Sequence, residues 1–173
     1  MNTTALLIGG NQGDRRALIE QATVLIQQRI GTVVRSSRIY ETEPWGDFEI
    51  ENSKLKIETF FNRGLLVETT MTAHKVLREA LSIEAELGRI RPSLSTLHSP
   101  LSTLHPPLST RVYHSRPMDI DLIFFNDEII ETEELTIPHP RAHLRRFVLE
   151  PLAEIIPDYR HPILGKTVKE LLK

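Results

Sequence analysis

Two aspartates stand one residue apart at the head of an apolar run, Asp119-Ile120-Asp121-Leu122-Ile123-Phe124-Phe125. If the run is a strand, alternate side chains share a face and both carboxylates point the same way. At roughly 6 Å and an effective dielectric of about 20 they repel by about 2–3 kcal/mol. A hard cation with oxygen ligands removes that conflict, and Mg2+ commonly combines one or two carboxylates with substrate phosphates. Two solvated aspartates on an exposed strand edge are the other reading of the same spacing. Arginines flank the pair: Arg89, Arg91, Arg111 and Arg116 before it, Arg141, Arg145 and Arg146 after it. Guanidinium forks match phosphate oxygens, so an acidic pair between arginines has the parts of a polyphosphate site. Any one of these arginines could equally belong to a solvated basic surface.

Other residues could serve the same site. His139 lies in Ile137-Pro138-His139-Pro140, where prolines fix the backbone and so the direction of the imidazole. It could donate to phosphate or move a proton, or simply hold a turn together. Glu84 falls on the apolar stripe of a helix, where a carboxylate needs a partner unless its head reaches water. Trp45, the only tryptophan, sits in a loop after Tyr40-Glu41-Thr42-Glu43-Pro44, and Phe60, Phe61 and Asn62 follow on the next strand. Rings plus an amide suit a flat heterocycle; core packing is the alternative for the two phenylalanines, one facing in and one out. Gly9-Gly10-Asn11-Gln12-Gly13-Asp14 is neither a dinucleotide fingerprint nor a P-loop.

The elements that must position these groups follow from periodicity. Residues 4–9 read as a buried strand, with Gly9 to Gly13 as a turn and Asp14 as N-cap of a helix over 15–29 striped by Leu18, Ile19, Ala22, Leu25 and Ile26. Strands are expected at 32–40 and 58–68. Thr72 should cap a helix over 73–87 with Val76, Leu77, Ala80, Leu81 and Leu87 inward and Gly88 past its end. A strand over 117–125, an Asn126-Asp127 turn, a return strand near 128–131 and short helices around 141–155 and 167–172 complete the chain. The order is that of an α+β, ferredoxin-like βαββαβ sheet with an extra C-terminal hairpin and short helices.

Composition narrows the function classes. The 173 residues fit one domain, residues 1–173, able to bury a core. A net charge of −2 argues against a general nucleic-acid binder, and the absence of cysteine excludes disulfides and thiolate metal sites. No signal segment or membrane span is legible, so a cytoplasmic protein is expected.

Six stretches, LLIGGNQGD, YETEPWG, FFNRGLLVET, IEAELGRIR, SRPMDIDLIFF and IPHPRAHLRRFVLEPLAEI, occur in the order found in the 6-hydroxymethyl-7,8-dihydropterin pyrophosphokinases of folate biosynthesis. The chain resembles that family, most specifically in Arg116-Pro117-Met118-Asp119-Ile120-Asp121. The resemblance implies pyrophosphate transfer from ATP to the pterin hydroxymethyl group, two Mg2+ ions, and ATP and the pterin as partners of a monomer that binds neither nucleic acid nor membrane. It assigns the metal to Asp119 and Asp121, and catalysis to them with Arg89 and Arg116. Leu77, Glu84, Arg91, Leu122, Thr136, His139 and Arg145 fall to ATP. Thr42, Glu43, Trp45, Phe60, Asn62 and Phe147 fall to the pterin. A catalytically weakened relative and a non-catalytic ferredoxin-like binding module are the competing classes.

Between Arg91 and Arg116 the chain is much longer than in that family. The unit Leu-Ser-Thr-Leu-His occurs at 94–98 and 101–105, and a third copy begins at Leu108. Pro100, Pro106 and Pro107 exclude a coiled coil despite the seven-residue period. The stretch, about 92–110, reads as a duplicated low-complexity insertion in a tolerant loop. Extending a loop from roughly ten to roughly twenty-five residues adds only about 0.8 kcal/mol of closure entropy.

Overall fold

A computed structural model describes residues 1–43, 59–88 and 117–173 of the chain. The long central strand β1 (Asn2–Gly10) is followed by α1 (Arg15–Arg29), then by β2 (Thr32–Ser36), β3 (Tyr40–Thr42), β4 (Phe60–Thr69) and α2 (Ala73–Glu86). After it come β5 (Asp119–Phe125), a hairpin of β6 (Ile130–Glu131) and β7 (Thr136–Ile137), a 3-10 turn at Ala142–Leu144, α3 (Arg146–Ile155) and α4 (Val168–Leu172). The main sheet runs β2-β4-β1-β5, with β3 also on β4, and all its pairings are antiparallel.

Both faces of this sheet are covered, which is why β1 and β5 read as unbroken apolar runs. Leu6 and Ile8 of β1 pack with Ile19, Ala22 and Ile26 of α1 and Val76, Ala80 and Ile83 of α2. Ala5 and Leu7, on the opposite face, pack with Val148, Leu149, Leu152 and Ile155 of α3. The two caps differ in quality: Asp14 accepts from Ala17 N at 3.0 Å, whereas Thr72 accepts from Lys75 N at a loose 3.5 Å.

Several expectations are corrected. Gly9 and Gly10 belong to β1 and not to a turn, because β4 is long enough to pair with both. The strand expected over 32–40 is broken. Ser36 pairs with Leu65 and Tyr40 with Asn62, so the outer strand uses one residue more than β4 over this span, a β-bulge. Buried Ser37 fills the break: its N–H donates to Gly64 O, and its Oγ accepts from Gly64 N, both at 2.9 Å. The inward stripe of α2 runs through Ile83 and Glu84 rather than Leu81, which is only partly buried. The return strand pairs with β7, not with β5. Among the described residues no helix is long and apolar enough to cross a membrane. The loop insertion, Trp45, Arg89, Arg91, Arg111 and Arg116 lie outside the described residues.

Candidate functional site

Register gathers the candidate residues on one face of the sheet. Gly9 pairs with Asn62 of β4 on one side and with Asp119 of β5 on the other, and Asn62 pairs in turn with Tyr40 of β3. In an antiparallel sheet directly opposed residues share a face, so Tyr40, Asn62, Gly9 and Asp119 form one row across four strands. The face is that of α3, since Leu7, two residues from Gly9, packs there. Asp121 pairs with Leu7 and lies on the same face as Asp119, as the strand period demands. Phe60 and Thr42, opposed to each other, lie on it too, while Phe61 turns to the α1 side.

Gly9 is the gap in this row. A Cβ there would stand 2.4 Å from Asn62 Oδ1 and 2.6 Å from Phe61 O. The side chain of Asn62, only 5 % exposed, therefore lies over the bare backbone of β1, and its Nδ2 donates to Thr42 Oγ1 at 2.9 Å.

Helix α3 walls the row. Its Pro151 backs onto Gly64 of β4, where a Cβ would come within 3.2 Å of it, and its Glu154 reaches Tyr40 of β3. The other end begins at Arg145, whose guanidinium is 5.8 Å from the Phe147 ring centroid. A helix N-terminus with Arg145 and Arg146, and no acidic residue in its first turn, favours anions. His139 is tied to β5 by donation from its backbone N to Ile123 O at 3.0 Å. Its Nδ1 accepts from Arg141 N at 3.3 Å, so the neutral ring carries its proton on Nε2 as a donor. Burial and the nearby Arg145 push the His139 imidazole below its ordinary pKa, while the charge of Asp119 pulls the other way. His139, Arg145 and Asp119 thus share one electrostatic neighbourhood.

The donor set suits a hard cation. Asp119 and Asp121 are half-buried carboxylates on β5, which is an edge strand among the described residues, and no group of three or more His, Cys, Asp or Glu able to hold a metal occurs among those residues. Two oxygen donors leave the other positions to phosphate and water, the arrangement Mg2+ accepts.

The remaining assignments fall differently. Glu84 does not have its head in water: it is 1 % exposed, on the α2 side of the sheet, and its Oε1 accepts from Ile120 N at 2.8 Å. It satisfies an outward N–H of edge strand β5 beside the aspartates. Leu122 is buried in the α1/α2 core, so only its backbone faces the sheet edge. Leu77 packs half-buried against the cluster holding Leu135 and Ile137, which bracket exposed Thr136. Glu43 is exposed, and Phe147 packs half-buried at the start of α3. Tyr40, Glu154 and the role of Gly9 were not read from the sequence. The only signal for them was the alternation that sets Tyr40 and Thr42 on one face and a glycine pair at the end of an apolar strand.

The chain matches known proteins of one family along most of its length. The family description 7,8-dihydro-6-hydroxymethylpterin-pyrophosphokinase (HPPK) matches residues 5–157. The chain is 34 % identical over 158 residues to a 2-amino-4-hydroxy-6-hydroxymethyldihydropteridine pyrophosphokinase of Porphyromonas gingivalis, covering 91 % of this chain and 92 % of that one. It is 36 % identical over 155 residues to the protein of that name from Bacillus subtilis, covering 89 % and 78 %. Among solved structures, Plasmodium falciparum HPPK-DHPS with SDX-DHP matches at a TM-score of 0.68 and 18 % identity over 99 % of this chain. This chain spans 43 % of that longer protein, and the likeness supports the fold alone.

Proposed function

The chain belongs to the 7,8-dihydro-6-hydroxymethylpterin-pyrophosphokinase family, enzymes that transfer pyrophosphate in folate biosynthesis, and on that premise we propose that ATP and 6-hydroxymethyl-7,8-dihydropterin meet on the α3 face of the sheet. The row Asn62–Gly9–Asp119 carries the reading, because it puts a heterocycle-reading amide and a metal-binding carboxylate on one face with only a glycine between them.

In this reading the pterin stacks against Phe60 and Phe147, the Asn62 amide reads its edge, and Thr42, Glu43 and Trp45 complete its pocket. Asp119 and Asp121 would hold two Mg2+, which would supply charge neutralisation for the triphosphate. His139, through Nε2–H, and Arg145 donate to phosphate oxygens, with Arg89, Arg91 and Arg116 as further phosphate contacts. Leu77, Thr136 and the backbone of Leu122 border the nucleotide at the edge of β5, and buried Glu84 supports that border from behind through the Ile120 N–H. The hydroxymethyl oxygen forms its bond to the β-phosphorus as the bond from that phosphorus to the α,β-bridging oxygen breaks. AMP leaves with the bridging oxygen, and the hydroxyl proton is released. Catalysis is positioning and charge neutralisation with no covalent enzyme intermediate. A monomer in the cytoplasm is part of the same proposal.

Incubating the protein with Mg2+, ATP and 6-hydroxymethyl-7,8-dihydropterin should yield AMP and the pterin diphosphate in equal amounts. Asp119→Ala and Asp121→Ala should each abolish turnover with little loss of thermal stability, since either change relieves the repulsion between the pair. Absence of AMP from folded protein, or wild-type rates in either variant, overturns the reading.

A further inference from the structure

Among the described residues the outer strand is tied to α3 at two places: Arg35 of β2 donates through Nη1 to Ile155 O at 2.8 Å, and the segment leading into β3 is held by one carboxylate that the reaction does not use. Glu154 Oε1 accepts from Arg38 N at 3.0 Å, and its Oε2 accepts from the Tyr40 hydroxyl at 2.8 Å. The Arg38 guanidinium lies 4.5 Å from the Tyr40 ring centroid and its Nε 3.9 Å from Glu154 Oε2. Burial and the bond to Glu154 both raise the pKa of the Tyr40 phenol, so it stays protonated and donates. Tyr40 is the direct cross-strand partner of Asn62. Two residues on, Thr42 accepts from the Asn62 amide. The chain of contact therefore runs from Glu154 through Tyr40 and the β3 backbone to Thr42 and then Asn62.

The two sides of this tie are unequally anchored. Helix α3 is held by buried Val148, Leu149, Leu152 and Ile155. Strand β3 has three residues, none fully buried; among the described residues it pairs only with β4, and its other side-chain contacts, Arg15 and Thr59 on exposed Glu41, are on the opposite face. It also follows a bulge, where ladder pairing is interrupted. If Glu154 lets go, β3 is the part that shifts, and Thr42 shifts with it.

We propose that Glu154 and Tyr40 are positioning residues for the heterocycle: they fix β3 so that Thr42 orients the Asn62 amide, and they set affinity for the pterin without touching it or the nucleotide. This rests on the assignment of Asn62 to the pterin. Arg145 and His139, at the other end of α3, are expected to be indifferent to the tie.

Tyr40→Phe removes a single hydroxyl. It should weaken binding of 6-hydroxymethyl-7,8-dihydropterin about fivefold, the equivalent of one hydrogen bond of about 1 kcal/mol. Glu154→Ala, which loses both bonds, should weaken it by about tenfold or more. Glu154→Gln retains an acceptor for Arg38 N and can pair with the phenol through its amide, so it should recover most of the loss. MgATP affinity should stay within about twofold in all three, and the KM for the pterin should rise in step with its dissociation constant. The Asn62 side-chain amide resonances should shift in Tyr40→Phe even without ligand. If Glu154→Ala does not fold, Tyr40→Phe and Glu154→Gln carry the comparison. Unchanged pterin affinity and amide resonances in folded variants, or equal weakening of pterin and MgATP, overturns the proposal. Either result leaves the pyrophosphokinase reading intact if the wild type still forms AMP. A wild type that forms no AMP overturns that reading, and the amide resonances then still decide the coupling.

Discussion

Gly9→Ala tests the row at its centre. The new Cβ would lie 2.4 Å from Asn62 Oδ1 and 2.6 Å from Phe61 O, roughly 0.5–1 Å inside ordinary van der Waals contact. Phe61 O belongs to the backbone of β4 next to β1, so it cannot turn aside. The Asn62 amide can turn, but only by giving up Thr42. Overpacking of this kind costs about 1–3 kcal/mol, and the lost hydrogen bond about 1 kcal/mol more. Together these amount to roughly 2–4 kcal/mol, which for a domain of this size lowers Tm by roughly 5–15 °C. Urea unfolding and thermal melts read that loss. A fluorescence titration should also show pterin affinity lowered by about tenfold or more, because the displaced amide no longer faces the heterocycle. Gly9→Ala combined with Asn62→Ala removes one of the two clashes, so it should regain part of the stability and none of the pterin affinity. A Gly9→Ala protein with wild-type Tm and wild-type pterin affinity would refute the close approach of β1 and β4 and the row built on it.

Glu84→Leu should destabilise the protein by about 1–3 kcal/mol in urea, because Ile120 N–H is left buried without its acceptor. Glu84→Gln keeps an acceptor and should cost less, and the reverse order would remove the structural role given to Glu84. Stability should also fall on acidification through His161. This ring is 4 % exposed, and its Nδ1 accepts from Ile163 N and Leu164 N at 3.3 and 3.2 Å. Burial first, and then His143, lower its pKa in the folded state. The unfolded chain therefore binds the proton more tightly, so this contribution is complete above about pH 6.5 and is lost as pH falls from there through the folded pKa. His161→Gln should flatten the slope of unfolding free energy in that window, where His139 contributes in the same sense. An unchanged slope would discard the assignment.

The order of elements was legible because each helix and strand carries its own period and punctuation. Asp14 and the Leu18–Ile26 stripe suffice for α1, and the Asp119–Phe125 run suffices for β5. Local rules failed where a neighbour decides. Gly9 and Gly10 read as a turn, yet they extend β1, because β4 pairs with them. Residues 32–40 read as one strand, yet the register against β4 shifts between Val33 and Arg35 and again between Ser37 and Tyr40, while Gly64 holds Ser37 on both its N–H and its hydroxyl. Glu84 seemed able to reach water, yet it is sealed by β5, whose outward N–H needs an acceptor.

Sequence alone determined the types of group available: a spaced carboxylate pair on one face of a strand, arginines around it, an amide and rings on another strand, and a histidine held between prolines. These follow from side-chain chemistry and the two-residue period of a strand, which need no neighbours. Only the tertiary structure decided that the amide and the carboxylate pair share one face of the sheet. Asn62 and Asp119 are far apart in the chain and fall in one row, on either side of β1, because each pairs with Gly9. Tyr40 is aimed at Glu154 by a bulge that exists only when the outer strand lies on β4. Register and bulges are properties of pairs of strands, and the site is made of them.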